Sequence, residues 1–146
     1  MENDEKWSSA SLHISSETIA LNDICEILNT NASHSHERGS PVSPRNPNSP
    51  LRQKNLWILN SSLEDSLPLE NHIEELVTFL ELKYDALKKL FSKCEIELFC
   101  GFSSTCGQGG FVLTADLLKR ISVFPIDIVL DLYPPEASDK AGYKTP

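Results

Sequence analysis

The sequence predicts an α+β fold, a mostly antiparallel sheet with its helices packed on one face. Two patterns carry this expectation. Apolar residues recur at three- and four-residue steps from Ile73 to Phe91, the period of an amphipathic helix. From Ile96 to Phe102 and from Ile126 to Leu132 they alternate with other residues, the period of a half-buried strand. Both periods occur in one chain of 146 residues with turn-forming clusters between them, which fits a single domain with one core.

In chain order, residues 7–14 place Ser8, Ala10, Leu12 and Ile14 on one side of a first strand. Asn22 and Asp23 supply a cap and a first-turn acid for a short helix carrying Ile24, Cys25, Ile27 and Leu28, which the Asn29-Thr30-Asn31 cluster stops. Composition then shifts. Gly39 to Pro50 holds four prolines in twelve residues, and proline removes a backbone donor and restricts its neighbour. Residues 29–54 are therefore expected to form a flexible Pro/Ser/Asn-rich loop, neither helix nor central strand.

Asn55 to Asn60 reads as a short strand around Trp57, and Pro68 suits the first turn of the helix that follows. That helix carries Ile73, Leu76, Val77, Leu80, Tyr84, Leu87 and Phe91 as one stripe, with acids early and lysines late, as the helix dipole favours. Glu95 to Phe102 is the next strand, with Ile96, Leu98, Cys100 and Phe102 on one side and Glu95, Glu97, Phe99 and Gly101 on the other. Ser103 to Gly110 is a glycine-rich turn, Phe111 to Leu113 a brief strand, and Thr114 caps a helix with Leu117, Leu118 and Ile121. The last strand turns Ile126, Ile128, Leu130 and Leu132 inward and Asp127, Val129, Asp131 and Tyr133 outward. Residues 134–146 read as a polar tail, leaving 7–133 as the ordered core of one domain. From Asn55 the order is βαββαβ, the ferredoxin-like split arrangement, after an extra N-terminal strand and short helix.

Charge narrows the function. Thirteen Lys+Arg stand against 21 Asp+Glu, a net −8. Nucleic-acid and anionic-membrane binding both draw on clustered cations, so neither is expected; the charge would suit a basic partner, and it also simply keeps a protein soluble. The opening Met-Glu-Asn-Asp-Glu-Lys-Trp has no basic or apolar leader region, and no apolar run approaches the roughly 20 residues of a membrane span. A cytoplasmic protein with reduced thiols at Cys25, Cys94, Cys100 and Cys106 is the expectation.

The run from Phe99 to Ile121, with its Phe102-Ser-Ser turn, Gly109-Gly-Phe step and Leu117-Leu helix, resembles the C-terminal signature of the domain of unknown function 4279 family. The closing Ile128-Val-Leu-Asp-Leu-Tyr133 strand, Trp57, and the Leu69-Glu-Asn-His-Ile73 helix start are similar to that family as well. The resemblance implies a small, soluble bacterial α+β domain. It implies no activity, no cofactor and no catalytic residues.

Gly107-Gln108-Gly-Gly110 could form an anion nest, but it lacks a P-loop's Lys-Ser/Thr ending, and a hairpin turn explains its glycines. Cys94, Cys100 and Cys106 are five residues apart rather than paired at zinc spacing, and His34-Ser-His36-Glu37 lies in loop sequence, so no metal is expected. His72 at the head of the long helix reads as a boundary residue bonded to the sheet or a loop. Asp127 and Asp131 are roughly 13 Å apart along a strand, too far to share a proton or metal. With Glu95, Glu97, Phe99, Val129 and Tyr133 they form either an ordinary solvated sheet face or an acidic, aromatic surface suited to a protein partner. No nucleophile elbow, Cys/His dyad or nucleotide fingerprint occurs.

The expected function is therefore a non-catalytic acidic module, without cofactor or metal. It would dock a basic protein through an open sheet face (Asp127, Asp131, Tyr133, Phe99, Glu97), with an immunity-type role as one version and homodimerisation compatible with it. The alternative is a small enzyme or ligand-binding domain built on His72, Trp57 and the Gly107–Gly110 loop with Gln108.

Overall fold

The computed structural model describes residues 6–133, so the polar tail expected at 134–146 lies outside the described residues. In chain order the elements are β1 (Lys6–Ser16), α1 (Leu21–Leu28), β2 (His34–His36), β3 (Asn55–Asn60), α2 (Leu69–Leu82), the single turn α3 (Tyr84–Leu87), β4 (Glu95–Ser104), α4 (Ala115–Ile121) and β5 (Asp127–Tyr133). Among the described residues the strands form one five-stranded sheet in the order β2-β3-β1-β4-β5. The β2–β3, β3–β1 and β1–β4 pairings are antiparallel, and β4–β5 is parallel. The fold is thus α+β with a mixed, mostly antiparallel sheet.

The N-terminal strand holds the centre. Ile14 lies opposite Trp57 on β3 and opposite Ile96 on β4, so β1 separates β3 from β4. β3, α2 and β4 form a split β-α-β unit with β1 in the gap. Central placement follows from the alternation of β1, whose Ala10, Leu12 and Ile14 are all buried. They pack with Trp57 and with Ile96, Leu98 and Cys100 beneath the helices, which contribute Ile24, Leu28, Ile73, Leu76, Val77, Leu80, Leu117 and Ile121.

Local chemistry sets the helix ends. Asn29 takes a left-handed φ of 51°, and Thr30 N–H bonds the Cys25 carbonyl at 3.1 Å, a left-handed close to α1. Thr114 caps α4 as expected, its Oγ1 accepting from Leu117 N–H at 3.1 Å. The long helix is broken at Lys83, where ψ moves to 17°, and α3 resumes the stripe with Leu87 buried.

Four expectations are corrected. Phe111 to Leu113 is not a strand, because β1 and β5 already occupy both edges of β4. The glycine-rich turn is accordingly not a hairpin: after Ser104 the chain turns at Gly107 (φ 76°) and leaves the sheet for α4. From Asn55 onward the order is therefore not βαββαβ, since that stretch supplies three of the five strands and the other two, β1 and β2, precede it. Residues 29–54 are also not entirely loop. His34–His36 pairs with β3, and the proline-rich stretch folds back as a hairpin. In it Gly39 N–H bonds the Arg52 carbonyl at 2.8 Å, and Val42 N–H bonds the Pro50 carbonyl at 2.9 Å. Proline keeps its carbonyl as an acceptor, so it serves at an edge where it could not serve in a central strand. No helix among the described residues is long and apolar enough to cross a membrane.

Candidate functional site

All helices pack on one side of the sheet, and the other side is open. Strand registers define what stands on it. One row crosses all five strands as His34, Ile58, His13, Glu97 and Asp127. Further along, Phe99 lies beside Val129, Gly101 beside Asp131, and Ser103 between Trp7 and Tyr133. The expected residues Glu97, Phe99, Asp127, Asp131 and Tyr133 therefore do share one surface, on two adjacent parallel strands.

Two residues that the sequence reading missed complete it. Trp7 and His13 occupy the outward positions of β1, the parity opposite to the buried Ala10 and Leu12. The alternation of β1 contained that signal, but its central position did not show from the sequence. His13 stacks on Phe99, with ring centroids 5.0 Å apart and planes within 4°. Its Nε2 lies 2.9 Å from Ser11 Oγ, and its Nδ1 lies 3.8 Å from a Glu97 carboxylate oxygen. Burial holds the His13 pKa below the ordinary imidazole value of 6.5.

Trp7 reaches across β4 to Tyr133, with centroids 5.1 Å apart. The crossing is open because the residue beneath it is glycine. A Cβ at Gly101 would stand 3.1 Å from the Trp7 ring and 3.1 Å from Ser9 Oγ. Gly101 is buried on a face where its neighbours are not, so the indole is its cover. A hydrogen bond with Asp131, added to that carboxylate's charge, raises the Tyr133 pKa and keeps the phenol protonated. An indole, a phenol and an imidazole–phenyl stack thus lie beside the carboxylates of Glu97, Asp127 and Asp131. No Lys or Arg occupies an outward position of β1, β3, β4 or β5 on this face.

Elsewhere, the chemistry of His72, Trp57 and Gln108 is spread over separate surroundings. Trp57 is fully buried on the helix side, its Nε1 donating to Cys25 Sγ at 3.4 Å. His72 is 1 % exposed. Its Nδ1 lies 2.7 Å from Ser61 Oγ, which donates to Glu75 at 2.8 Å, while its Nε2 is buried without a partner. Burial works to raise the Glu75 pKa, but bonds from Ser62 and Ser61 outweigh it and hold the carboxylate low. Imidazole and acid both bind the hydroxyl, whereas a catalytic triad places the acid on the far side of the imidazole. This set closes the loop after β3 onto α2. Gln108 sits in the exposed turn, and Gly109 packs on Phe102, whose ring a Cβ there would meet at 2.6 Å.

Among the described residues no group of three His, Cys, Asp or Glu converges as metal ligands do. Cys100 is buried on the core side, and burial pushes its thiol pKa up to about 11. The best-developed ion cluster is structural. Arg120 on α4 donates to both Glu81 oxygens at 2.9 Å and to Glu74 at 2.8 Å, tying α4 to α2. Those hydrogen bonds hold both glutamates below the ordinary carboxyl value of 4.5.

A family model described as a domain of unknown function, DUF4279, matches residues 5–135. No curated protein and no solved structure matches the chain.

Proposed function

The chain belongs to the DUF4279 family, and we propose that it works as a non-catalytic acidic binding module that docks a basic protein on its open sheet face. An immunity-type role, neutralising a basic toxin, is one concrete form. One observation carries the reading. The tilted Trp7–Tyr133 pair and the stacked His13–Phe99 pair lie beside Glu97, Asp127 and Asp131 on a face that no helix covers. Aromatics supply contact area at low entropic cost, and carboxylates steer a cationic partner and set its register.

The alternative site finds less support. His72 Nδ1 and Trp57 Nε1 are bonded to Ser61 and Cys25 inside the domain, and both side chains are buried away from solvent. A cytoplasmic setting goes with this reading, as does self-association along the outer edge of β5, where Leu130 and Leu132 are exposed.

The test is affinity capture with the purified chain, repeated with Asp127→Lys/Asp131→Lys. Wild type retains a basic protein that moderate salt releases, and the reversed charges abolish its recovery. Equal recovery by the variant, or a salt-insensitive complex, would sink the proposal.

A further inference from the structure

We propose that the cavity beneath the proline-rich hairpin, at the β2 edge of the sheet, binds an organic oxyanion: a phosphate or carboxylate carried on an apolar body. The cavity measures about 690 Å³. His36, Arg38 and Arg52 line its polar part, and Leu21, Val42 and Pro44 line its apolar part.

Charge is the first argument. In a chain of net −8, residues 29–54 hold four of the 13 Lys+Arg and one of the 21 Asp+Glu. That acid, Glu37, also lines the cavity, yet among the described residues no carboxylate lies within 4 Å of Arg38 or Arg52. Arg120 engages three acids in the same molecule.

Geometry is the second. Arg52 Nε is buried and has no acceptor, and the contact from its Nη2 to the Val42 carbonyl is long, at 3.5 Å. Arg38 uses Nη1 on the Glu17 carbonyl at 2.9 Å. A buried guanidinium N–H without an acceptor is costly, and an oxyanion matches the guanidinium fork with two parallel bonds. His36 stands close enough to Arg52 to feel its charge, a repulsion that a bound anion relieves. The volume fits a ligand of several heavy atoms, within the roughly 300–1,000 Å³ of small-molecule sites, and exceeds what a bare ion fills.

The experiment is a two-dimensional amide and Arg Nε–H NMR titration at constant ionic strength. Its probes are phenyl phosphate, benzoate, inorganic phosphate and benzyl alcohol. Phenyl phosphate, benzoate or both should shift the Arg52 Nε–H and the amides of 36–42 saturably, and the tighter of the two identifies the oxyanion. Arg52→Gln should weaken that binding by at least about tenfold, the loss expected for one charge-assisted bond. Arg45→Gln, at the hairpin tip outside the cavity, should leave it unchanged. If Arg52→Gln does not fold, Arg38→Gln decides the same point. The proposal is overturned by no saturable shift with either aromatic anion, or by an equal response to benzyl alcohol. Unchanged binding in the folded variants overturns it too, as does inorganic phosphate binding as tightly as phenyl phosphate, which would mark an adventitious ion only.

Discussion

Replacing Gly101 tests the geometry of the aromatic centre directly. A Cβ at this position meets the Trp7 ring and Ser9 Oγ at 3.1 Å, so Gly101→Ala asks each neighbour to yield by a few tenths of an ångström. The indole is the end of a rotatable side chain, and alanine also restricts the unfolded chain, so the alanine variant should be close to neutral. Gly101→Val adds two further carbons where the indole lies. Overpacking of that kind costs about 1–3 kcal/mol, and the better strand propensity of valine returns up to about 1 kcal/mol. A net loss of about 1–2 kcal/mol should lower Tm by roughly 3–8 °C in a domain of this size. Fluorescence supplies an independent readout. Trp57 is fully buried, so iodide quenching reports Trp7. Quenching should rise in the valine variant as the indole leaves Tyr133, and stay near wild type in the alanine variant. A valine variant that matches wild type in both Tm and quenching would show that Trp7 does not lie over β4. The aromatic half of the docking proposal would fall with it.

Acid should destabilise the fold in two stages. The pKa values of His13 and His36 are lowered from 6.5, so the stability tied to their neutral forms is present above that value and is lost as pH falls below it. Glu74, Glu75 and Glu81 are lowered from 4.5, so a second loss follows as pH drops below that value, read from Tm against pH. Arg120→Met should lower Tm near neutrality and shrink the second stage, because Glu74 and Glu81 then have no arginine to hold them ionised; an unchanged acid limb would refute the clamp. His72→Leu deletes a buried nitrogen without a partner together with the Ser61 bond, so chemical denaturation should place it within about 1 kcal/mol of wild type. Partner capture should survive in that variant, and its loss in a folded protein would move the site to His72. Leu132 is 64 % exposed, so Leu132→Lys should change stability by less than about 0.5 kcal/mol in the same assay, and a larger loss would mean the leucine is covered in solution.

The elements legible in the sequence were those whose signal is local. The buried stripe of α2, the Thr114 cap and the side assignment of Glu97, Phe99, Asp127 and Asp131 all follow from periods of 3.6 and 2. What failed depended on which strands pair. Phe111-Val-Leu113 has strand-forming residues, and only the occupation of both β4 edges excludes it from the sheet. His34-Ser-His36 has almost no strand signal of its own and is recruited by the free edge of β3. Trp7 and His13 went unrecognised for the same reason. Their parity was readable, but their importance comes from β1 lying between β3 and β4.

The place of β1 also decides where a partner can make the most of the surface. With β1 central, Trp7 and His13 stand between the imidazoles of β2 and the acidic margin at β4 and β5. At the acidic margin the helix side is thin. α4 has seven residues and spans about 10 Å, against roughly 23 Å for the seven residues of β5. Leu130 and Leu132 point to the helix side in register with Cys100 and Phe102, yet they are 46 % and 64 % exposed. β5 therefore shows carboxylates and Tyr133 on one face, leucines on the other, and an outer edge that no described strand pairs. A basic partner that also follows this edge would gain backbone pairing and apolar burial beyond its ion pairs. Its complex would then lose affinity on Leu132→Lys as well as on Asp131→Lys, whereas a partner confined to the flat face would respond only to the aspartate.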